Sequence, residues 1–242
     1  FELPFMPASA EATSQAAWKF YEKHLTEEFK DVHLIAVHTH GPGLLHVKGN
    51  GVEKLEDMQG LKLRGPTRQA NALLSALGAT PVGMPVPAMP EALSKGVIDG
   101  TVVPWEVTTP LKVAELVDSH TYFAGTRGLY TSFFVFAMNK VKYEALPADL
   151  KAVLDANSGL ETSKWVGRVM DEGDAPGIEV AKKSGNKMIM LDEAEVARWK
   201  AAAEPVVAAW IAEMNGKGYD GAALVADAKA LMDRYNVTGF PV

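Results

Sequence analysis

The side chains best suited to bind a small molecule are histidines and one arginine in the first third of the chain. His38 and His40 are two positions apart, so an extended chain places both on one face, and His46 follows closely. Arg64 comes directly after a short alternating stretch at positions 61–63. Imidazoles bind metals or hydrogen-bond to oxygens, and a guanidinium holds a carboxylate through two parallel bonds. These residue types suit an anion or a metal ion.

Two interpretations of His38 and His40 stay open after a metal site is set aside. No acidic residue lies between them, and the loop at positions 41–43 (Gly-Pro-Gly) offers only carbonyl oxygens, so we predict no metal and no other cofactor. Either the imidazoles line a ligand cleft and donate hydrogen bonds to the ligand, or they bind backbone groups of a tight loop.

The loop after Asp99-Gly100 provides two further candidates. Trp105 is a candidate wall over the carbon skeleton of a ligand, and the alternative is that it only packs between parts of the protein. Glu106 either accepts hydrogen bonds from ligand hydroxyl groups or holds Arg64 or a histidine in place.

A helix that begins just after Arg64 adds to the candidate site. Thr67 is a typical N-cap, and Gln69 lies in the first turn, where free backbone amides favour a negative group. Tyr130, on a later strand, is a candidate contact, although aromatic residues on strands are more often part of the core. Arg127 is a candidate second anchor for an anion. The alternative is that its side chain is solvated, as arginines in loops usually are.

Strands and helices alternate around these residues. The pattern predicts strands at 61–63, 80–84 and 97–99, separated by helices at 67–77 and 88–95. Such alternation indicates an α/β fold with a mostly parallel sheet, whose ligands lie beyond the carboxyl ends of the strands. Arg64 and the Trp105 loop both occupy that place.

The remaining periodic segments complete the predicted α/β architecture. They are a helix at 9–29, a strand at 32–39, a helix at 111–117, a strand at 129–138, a helical region at 147–184 broken at Gly173 and Pro176-Gly177, a strand at 187–191, a helix from Asp192 and a last helix at 221–235. We find no repeats or low-complexity segments.

Composition excludes several functions. The 242 residues carry a net charge of −6 with no basic stripe, which argues against nucleic acid or an anionic membrane surface as partner. The absence of cysteine excludes disulfides and thiolate catalysis. No apolar run reaches transmembrane length, and residues 1–5 do not resemble a signal peptide. An anionic ligand remains compatible with these data, because one buried arginine sets its own local field.

Several blocks of residues carry a resemblance to a known family. They are Asp57-Met58-Gln59-Gly60-Leu61-Lys62-Leu63-Arg64, Leu77-Gly78-Ala79, Pro81-Val82, Glu91-Ala92-Leu93 and Gly96-Val97-Ile98-Asp99-Gly100. In order and spacing, this stretch resembles the solute-binding subunits of TRAP (tripartite ATP-independent periplasmic) transporters. The resemblance implies a periplasmic protein with a two-lobed, type II-like periplasmic-binding-protein fold and a long helix that spans both lobes.

The resemblance also implies a role for Arg64. In that family, the arginine at the strand end forms a salt bridge with an organic acid in the interlobe cleft, and the closed form is recognised by membrane subunits. The sequence departs from the family at Gly43, where many members have a basic residue, and at Val103, where many have asparagine. These departures leave the identity of the acid open.

The resemblance divides the chain into two interleaved lobes. Lobe I takes residues 1–40 and 129–185, and lobe II takes residues 41–128 and 186–242. Family members have additional elements before the equivalent of residues 3–5, so we expect lobe I to be incomplete and to expose apolar core surface.

The sequence thus predicts a binding protein that performs no chemistry. The alternative is an α/β enzyme that converts a small molecule with His38, His40 and Glu106 at the same cleft. Nucleophile-elbow, phosphate-loop, dinucleotide-binding and zinc-protease motifs are all absent from the sequence.

Overall fold

The computed structural model describes residues 1–236. The α-helices are α1 (Ala10–His24), α2 (Arg68–Ala76), α3 (Met89–Ser94), α4 (Lys140–Glu144), α5 (Ala148–Ala156), α6 (Leu160–Lys183), α7 (Glu193–Gly216) and α8 (Gly221–Tyr235). The strands are β1 (Val32–Thr39), β2 (Leu44–Val47), β3 (Lys62–Gly65), β4 (Thr80–Gly83), β5 (Gly100–Val103), β6 (Ser119–Phe123), β7 (Phe133–Asn139) and β8 (Lys187–Leu191). Short 3-10 turns include Trp105–Val107 and Val113–Glu115.

The strands form two sheets of unequal size. The larger sheet has six strands in the order β4-β3-β5-β2-β6-β8, and the smaller pairs β1 with β7 in antiparallel fashion. In the larger sheet, β3 runs parallel to β4 and β5, and β6 runs parallel to β8. Strand β2, which the sequence analysis did not predict, runs antiparallel to both of its neighbours. The sheet is therefore mixed rather than mostly parallel.

Side-chain caps begin several helices where the sequence predicts them. Thr67 accepts a hydrogen bond from the Ala70 amide at the start of α2, at 3.2 Å. Asp192 accepts one from the Glu195 amide at the start of α7, at 2.8 Å. Each cap satisfies an amide that the first helical turn leaves free. The predicted starts of α2 and α7 are confirmed.

One apolar core joins the larger sheet to helices α2 and α7. Its fully buried members include Leu45, Leu63, Leu73, Leu74 and Trp199. A second group of buried side chains connects α1 with α8, so α8 packs on a helix of the predicted lobe I although it belongs by sequence to the predicted lobe II. The division into lobes stays a prediction.

Helix α6 contacts elements of both sheets. The Ser163 hydroxyl oxygen lies 3.2 Å from the amide nitrogen of Val37 in β1, which donates to it. Further along α6, a Cβ built on Gly173 would lie 2.6 Å from the Cβ of Glu106, and one on Gly177 would lie 2.4 Å from the Trp105 carbonyl oxygen. Only glycine permits such close packing of helix against turn. This is the long helix that the fold prediction requires.

The predicted break in this helix is wrong. Residues 160–183 form one continuous helix with Pro176 inside it. Glycine and proline disfavour a helix interior, but tertiary packing overrides such propensities. Here the two glycines lie against the 105–108 turn, and that packing holds the helix across Pro176.

Several other predicted elements are wrong in extent, and the helix predicted at 9–29 ends at His24. The strand predicted at 97–99 begins at Gly100, because residues 96–98 form the closing turn of α3, where the Val97 amide donates to the Ala92 carbonyl. The helix predicted at 111–117 is only a 3-10 turn, preceded by Lys112 in the left-handed region. Strand β7 begins at Phe133 rather than at 129.

Strand β7 exposes large apolar side chains. Phe134 is 41% exposed and Phe136 58%, and Trp165 in α6 is 59% exposed. Folded proteins seldom leave such residues together in water. These three residues lie within residues 129–185, a range assigned to the predicted lobe I. Among the helices described, none combines the length and the apolar character needed to cross a bilayer.

Candidate functional site

Arg64 is buried at the carboxyl end of β3, with 3% of its surface exposed. Its Nε donates to the Met84 carbonyl at 3.0 Å and its Nη1 to the Val102 carbonyl at 3.4 Å. None of the ion pairs within residues 1–236 includes it. Burial lowers its pKa, although a guanidinium stays charged in proteins. The group is therefore a buried cation with donors that no carboxylate of the described chain uses.

Tyr130 supports the strand end to which Arg64 bonds. Its hydroxyl donates to the Val102 carbonyl at 2.9 Å, so the tyrosine and Arg64 share one acceptor. Its ring lies against Gly43, where an added Cβ would come within 2.0 Å of a ring carbon. Burial raises the pKa of Tyr130 far above its usual range. The structure thus gives Tyr130 a packing role beside Arg64.

His40 has both ring nitrogens engaged by backbone groups. Its Nε2 accepts from the Ser132 amide at 3.1 Å, so the ring proton is on Nδ1, which donates to the Gly41 carbonyl at 2.5 Å. Burial lowers the pKa of His40 to about 4. This arrangement matches the backbone-binding interpretation, with no nitrogen left for a ligand.

His38 differs from its neighbour. It is half-buried in β1, and its ring stacks on Phe134 with 5.0 Å between the ring centres. Its Nδ1 is buried without a hydrogen-bond partner in the described chain. Burial lowers the pKa of His38 as well. Of the two predicted histidines, His38 is the one whose Nδ1 lacks a hydrogen-bond partner in the described chain.

The start of α2 brings Asn71 to the site, a residue that the sequence analysis did not propose. Gln69 forms no side-chain hydrogen bond among the described residues, whereas the Thr67 hydroxyl is used by its cap. The Asn71 side chain lies over Gly65 and Gly83, where an added Cβ would come within 2.1 and 3.2 Å of its amide atoms. The Asn71 Oδ1 is buried and unpaired in the described chain. The glycines at the ends of β3 and β4 were the available signal.

Trp105 lies in the 3-10 turn after β5, buried to 7% exposure. Its ring meets the ring of His46 edge-on, with centres 5.3 Å apart, and lies 4.9 Å from the ring of His120. Leu44 and Ala181 complete its apolar surroundings. Trp105 therefore has extensive packing partners, as the second interpretation of this residue proposed.

A cavity of about 460 Å³ borders Trp105. It is lined by residues of β6, β8, α6 and the adjoining loops, namely Pro42, Gly43, Leu44, Trp105, Tyr122, Phe123, Ala124, Gly125, Gly128, Asp171, Asp174, Ala175, Ile178, Glu179, Lys182, Met188 and Met190. Arg64 is not among these residues. Trp105 and Arg64 thus do not line this cavity together, and a ligand wall formed by Trp105 stays a prediction.

Glu106 belongs to a group of three half-buried carboxyls, with Asp171 and Asp174. Its amide donates to Asp174 at 3.0 Å, and its Oε2 is buried without a partner in the described chain. Asp171 accepts from the amides of Ala10 and Glu11 at 2.7 and 2.9 Å. No hydrogen bond within residues 1–236 joins the Glu106 carboxyl to Arg64 or to a histidine.

Burial and mutual repulsion raise the pKa values of these carboxyls. The pKa of Glu106 rises to about 8, first through burial and then through Asp174. That of Asp174 rises to about 7 through burial and Asp171, and burial also raises that of Asp171. Helix α6 thus holds its two aspartates one turn apart, one bonded to α1 and the other to the Trp105 turn.

His46 does not join His38 and His40. It lies on β2 of the larger sheet, where its Nδ1 is 2.7 Å from Nδ1 of His120 on β6. No cluster of three or more metal-binding side chains occurs in the part of the chain that the structure describes.

Arg127 is held by the Met6 carbonyl at 3.0 Å and by Asp233.

A family model described as bacterial extracellular solute-binding protein, family 7, matches residues 1–213. The chain belongs to this family. Its members of the TRAP type bind small carboxylate ligands outside the cytoplasm and work with membrane subunits. Because the relatives of this chain are transport components, the enzyme alternative is not supported.

Two solved structures are similar to nearly the whole chain. A TRAP solute-binding protein from Rhodoferax ferrireducens, in complex with copurified benzoate, is 47% identical, with a TM-score of 0.94 over 97% of this chain and 73% of that one. A marine metagenome TRAP solute-binding protein specific for aromatic acids, in complex with 3-hydroxybenzoate, is 47% identical, with a TM-score of 0.95 over 98% and 74%.

A curated relative is more distant. The outer membrane transporter protein TsaT of Comamonas testosteroni is 25% identical over 226 residues. The match covers 91% of this chain and 65% of that relative, so the chain spans less than two thirds of its length.

Proposed function

We propose that this chain is the ligand-capturing part of a TRAP solute-binding protein and that its ligand is an aromatic carboxylate. The carboxylate binds the guanidinium of Arg64 in a cleft between two lobes. The lobes are those given by residues 1–40 with 129–185 and residues 41–128 with 186–242. The protein acts in the periplasm and delivers the acid to membrane subunits.

The observation that carries the proposal is the state of Arg64. A buried cation costs free energy unless a partner compensates it, and only two carbonyls do so in the described chain. A ligand carboxylate supplies the missing charge and uses the remaining donors. Thr67, the N-cap of α2, follows three residues later, and the free amides at this helix end favour the same negative group.

The aromatic class is supported by the two similar structures, since both hold ring carboxylates and share 47% of their residues with this chain. By the resemblance, Val103 stands where many members of the family carry asparagine, and Gly43 stands where many carry a basic residue. A dicarboxylate would bring a second charge that these two positions do not match.

Closure of the cleft would strengthen the ion pair. Gly41 and Gly43 lie between the end of β1 and the start of β2, at the passage from one sheet to the other. A hinge motion there would bring the lobes together over the ligand and exclude water, and an ion pair is stronger where the dielectric constant is low.

The test compares two arginines by calorimetric titration with benzoate after any bound ligand has been removed. Arg64→Ala should weaken benzoate binding by roughly 100-fold or more, because a charge-assisted pair in a dry site is lost. Arg68→Ala is the control, since Arg68 is exposed and pairs with Glu213. Equal affinity of the Arg64 variant and the wild type would refute the proposed role.

The ligand class is tested with the same instrument. The wild-type protein should bind benzoate and 3-hydroxybenzoate at least about tenfold more tightly than malonate or succinate. Tighter binding of the aliphatic dicarboxylates would leave the family assignment intact and overturn the aromatic class.

A further inference from the structure

The buried pair His46 and His120 has no role in the function proposed above. Both residues are 0% exposed. They join β2 to β6 through their Nδ1 atoms, 2.7 Å apart, inside the larger sheet. Two ring nitrogens at this distance share one proton, since one must donate and the other accept.

The partners of His120 settle which ring donates. The side-chain amide nitrogen of Asn186 lies 3.0 Å from the Ala114 carbonyl and 3.1 Å from the Val117 carbonyl, which fixes this atom as the NH2 group. The same nitrogen lies 3.0 Å from Nε2 of His120. An amide NH2 cannot accept a hydrogen bond, so Nε2 carries no proton and the proton of neutral His120 is on Nδ1.

The partner of His46 agrees with this assignment. Its Nε2 lies 3.1 Å from the Val103 carbonyl, which only accepts, so Nε2 carries the proton and Nδ1 is free to accept from His120. The hydrogen bonds run in one direction, from Asn186 through His120 and His46 to Val103. Burial lowers the pKa of His46 to about 3 and that of His120 to about 4, which keeps both rings uncharged near neutral pH.

The chain of hydrogen bonds ends where β5 meets the candidate site. Val103 is the last residue of β5, and the preceding carbonyl, that of Val102, accepts from both Arg64 and Tyr130. Trp105 follows two residues later and packs on both imidazoles. The position of the histidine pair therefore fixes the segment that holds Arg64.

We propose that His46 and His120 are positioning residues, which hold the end of β5 through a one-directional chain of hydrogen bonds and so place Arg64 for its carboxylate. This inference rests on the proposed function, because its consequence is measured in ligand affinity. A neutral imidazole suits this role, since it accepts a hydrogen bond at one ring nitrogen and donates at the other.

The first test is spectroscopic and needs no ligand. Long-range proton–nitrogen correlation of the histidine rings at pH 7 distinguishes protonated from unprotonated ring nitrogens. We expect the proton on Nδ1 of His120 and on Nε2 of His46. The opposite tautomer in either ring, or a charged ring, would overturn the inference.

The second test uses two substitutions of nearly equal shape. His120→Asn keeps a donor close to the position of Nδ1, whereas His120→Leu removes it. We expect His120→Asn to bind benzoate within about twofold of the wild type and His120→Leu to bind at least about fivefold more weakly, the loss typical of one buried hydrogen bond. Circular dichroism and thermal unfolding confirm that both variants are folded at the temperature of the titration.

The outcomes separate this inference from the function on which it rests. If the wild type bound neither benzoate nor another carboxylate, the proposed function would be wrong and the positioning role with it. If the wild type bound benzoate and the two variants bound it equally, only the positioning role would be wrong. A failure of His120→Leu to fold leaves the ring tautomers of the wild type as the deciding measurement.

Discussion

The turn at residues 105–107 has histidines on one side and carboxyls on the other, and burial acts on the two groups in opposite directions. His46 and His120 lie under Trp105 in the larger sheet, and burial lowers their pKa values. Glu106 and Asp174 lie toward α6, and burial raises theirs. In each case burial favours the neutral form.

The two sides nevertheless satisfy their polar atoms to different degrees. The histidine pair has a partner for each of its four ring nitrogens. The three carboxyls are less well satisfied. The Glu106 Oε2 is buried without a partner in the described chain, and no cation among residues 1–236 pairs with Glu106 or Asp174. We infer that the hydrogen bonds of the histidine pair make that side rigid. The unsatisfied carboxyls, in contrast, destabilise the folded state next to the hinge proposed at Gly41 and Gly43.

The substitution expected to destabilise the protein most is at the contact between α6 and the turn at residues 105–108. Gly177→Ala places a Cβ about 2.4 Å from the Trp105 carbonyl oxygen and should lower the free energy of unfolding by roughly 2–3 kcal/mol, since backbone atoms cannot move aside. Gly216→Ala is the matched control, because nothing lies within 4 Å of its new Cβ. The control should be neutral or stabilising by up to about 1 kcal/mol. Urea unfolding measures both, and equal effects would contradict the close packing of α6.

The histidine side predicts a loss of stability in acid. The unfolded chain takes up protons on these rings below their ordinary pKa of 6.5, whereas the folded chain resists until about 4 for His120 and about 3 for His46. Stability from these rings is therefore complete above pH 6.5 and is lost progressively as the pH falls toward 4. His120→Asn should reduce the loss between pH 6 and pH 5 by about 1 kcal/mol. Unfolding curves of equal pH dependence in the variant and the wild type would show that His120 is not held neutral.

The carboxyl side predicts the opposite trend at high pH, with a smaller expected effect. The pKa of Glu106 is about 8 in the folded protein against an ordinary 4.5, so its contribution is most favourable at low pH and is lost as the pH rises through 8. Glu106→Gln should gain about 1 kcal/mol relative to the wild type when the pH is raised from 7 to 8. A constant difference between the two proteins over this range would mean that Glu106 ionises normally.

The sequence was most informative where structure depends on neighbours along the chain. The caps at Thr67 and Asp192 follow from one side chain and an amide three residues later, and both are confirmed. The strand at Arg64 was visible from the alternation of Leu61 to Leu63. The position of Arg64 at its carboxyl end then follows from the chain direction, and the family blocks around it are confirmed by the family match.

The errors arose where distant parts of the chain decide the structure. Pro176 predicts a helix break by itself, but the turn that packs on Gly173 and Gly177 is some 70 residues away along the chain. His46 and His120 are separated by 74 positions, and no local pattern pairs them. The cluster of Glu106, Asp171 and Asp174 could not be predicted either, because it forms only where α6 packs on the turn after β5. The ligand roles of His38, His40, Thr67, Gln69, Trp105, Glu106 and Tyr130 stay predictions.

Pro176 has a mechanical consequence for α6. A proline carries no amide hydrogen, so the helix lacks the bond from this residue to the carbonyl four positions earlier. That weaker turn lies between Gly173 and Gly177, whose surfaces rest on the 105–108 segment. We expect the bending stiffness of α6 to be lowest there. The helix would then bend at Pro176, and the segments on either side of it would move as nearly rigid bodies.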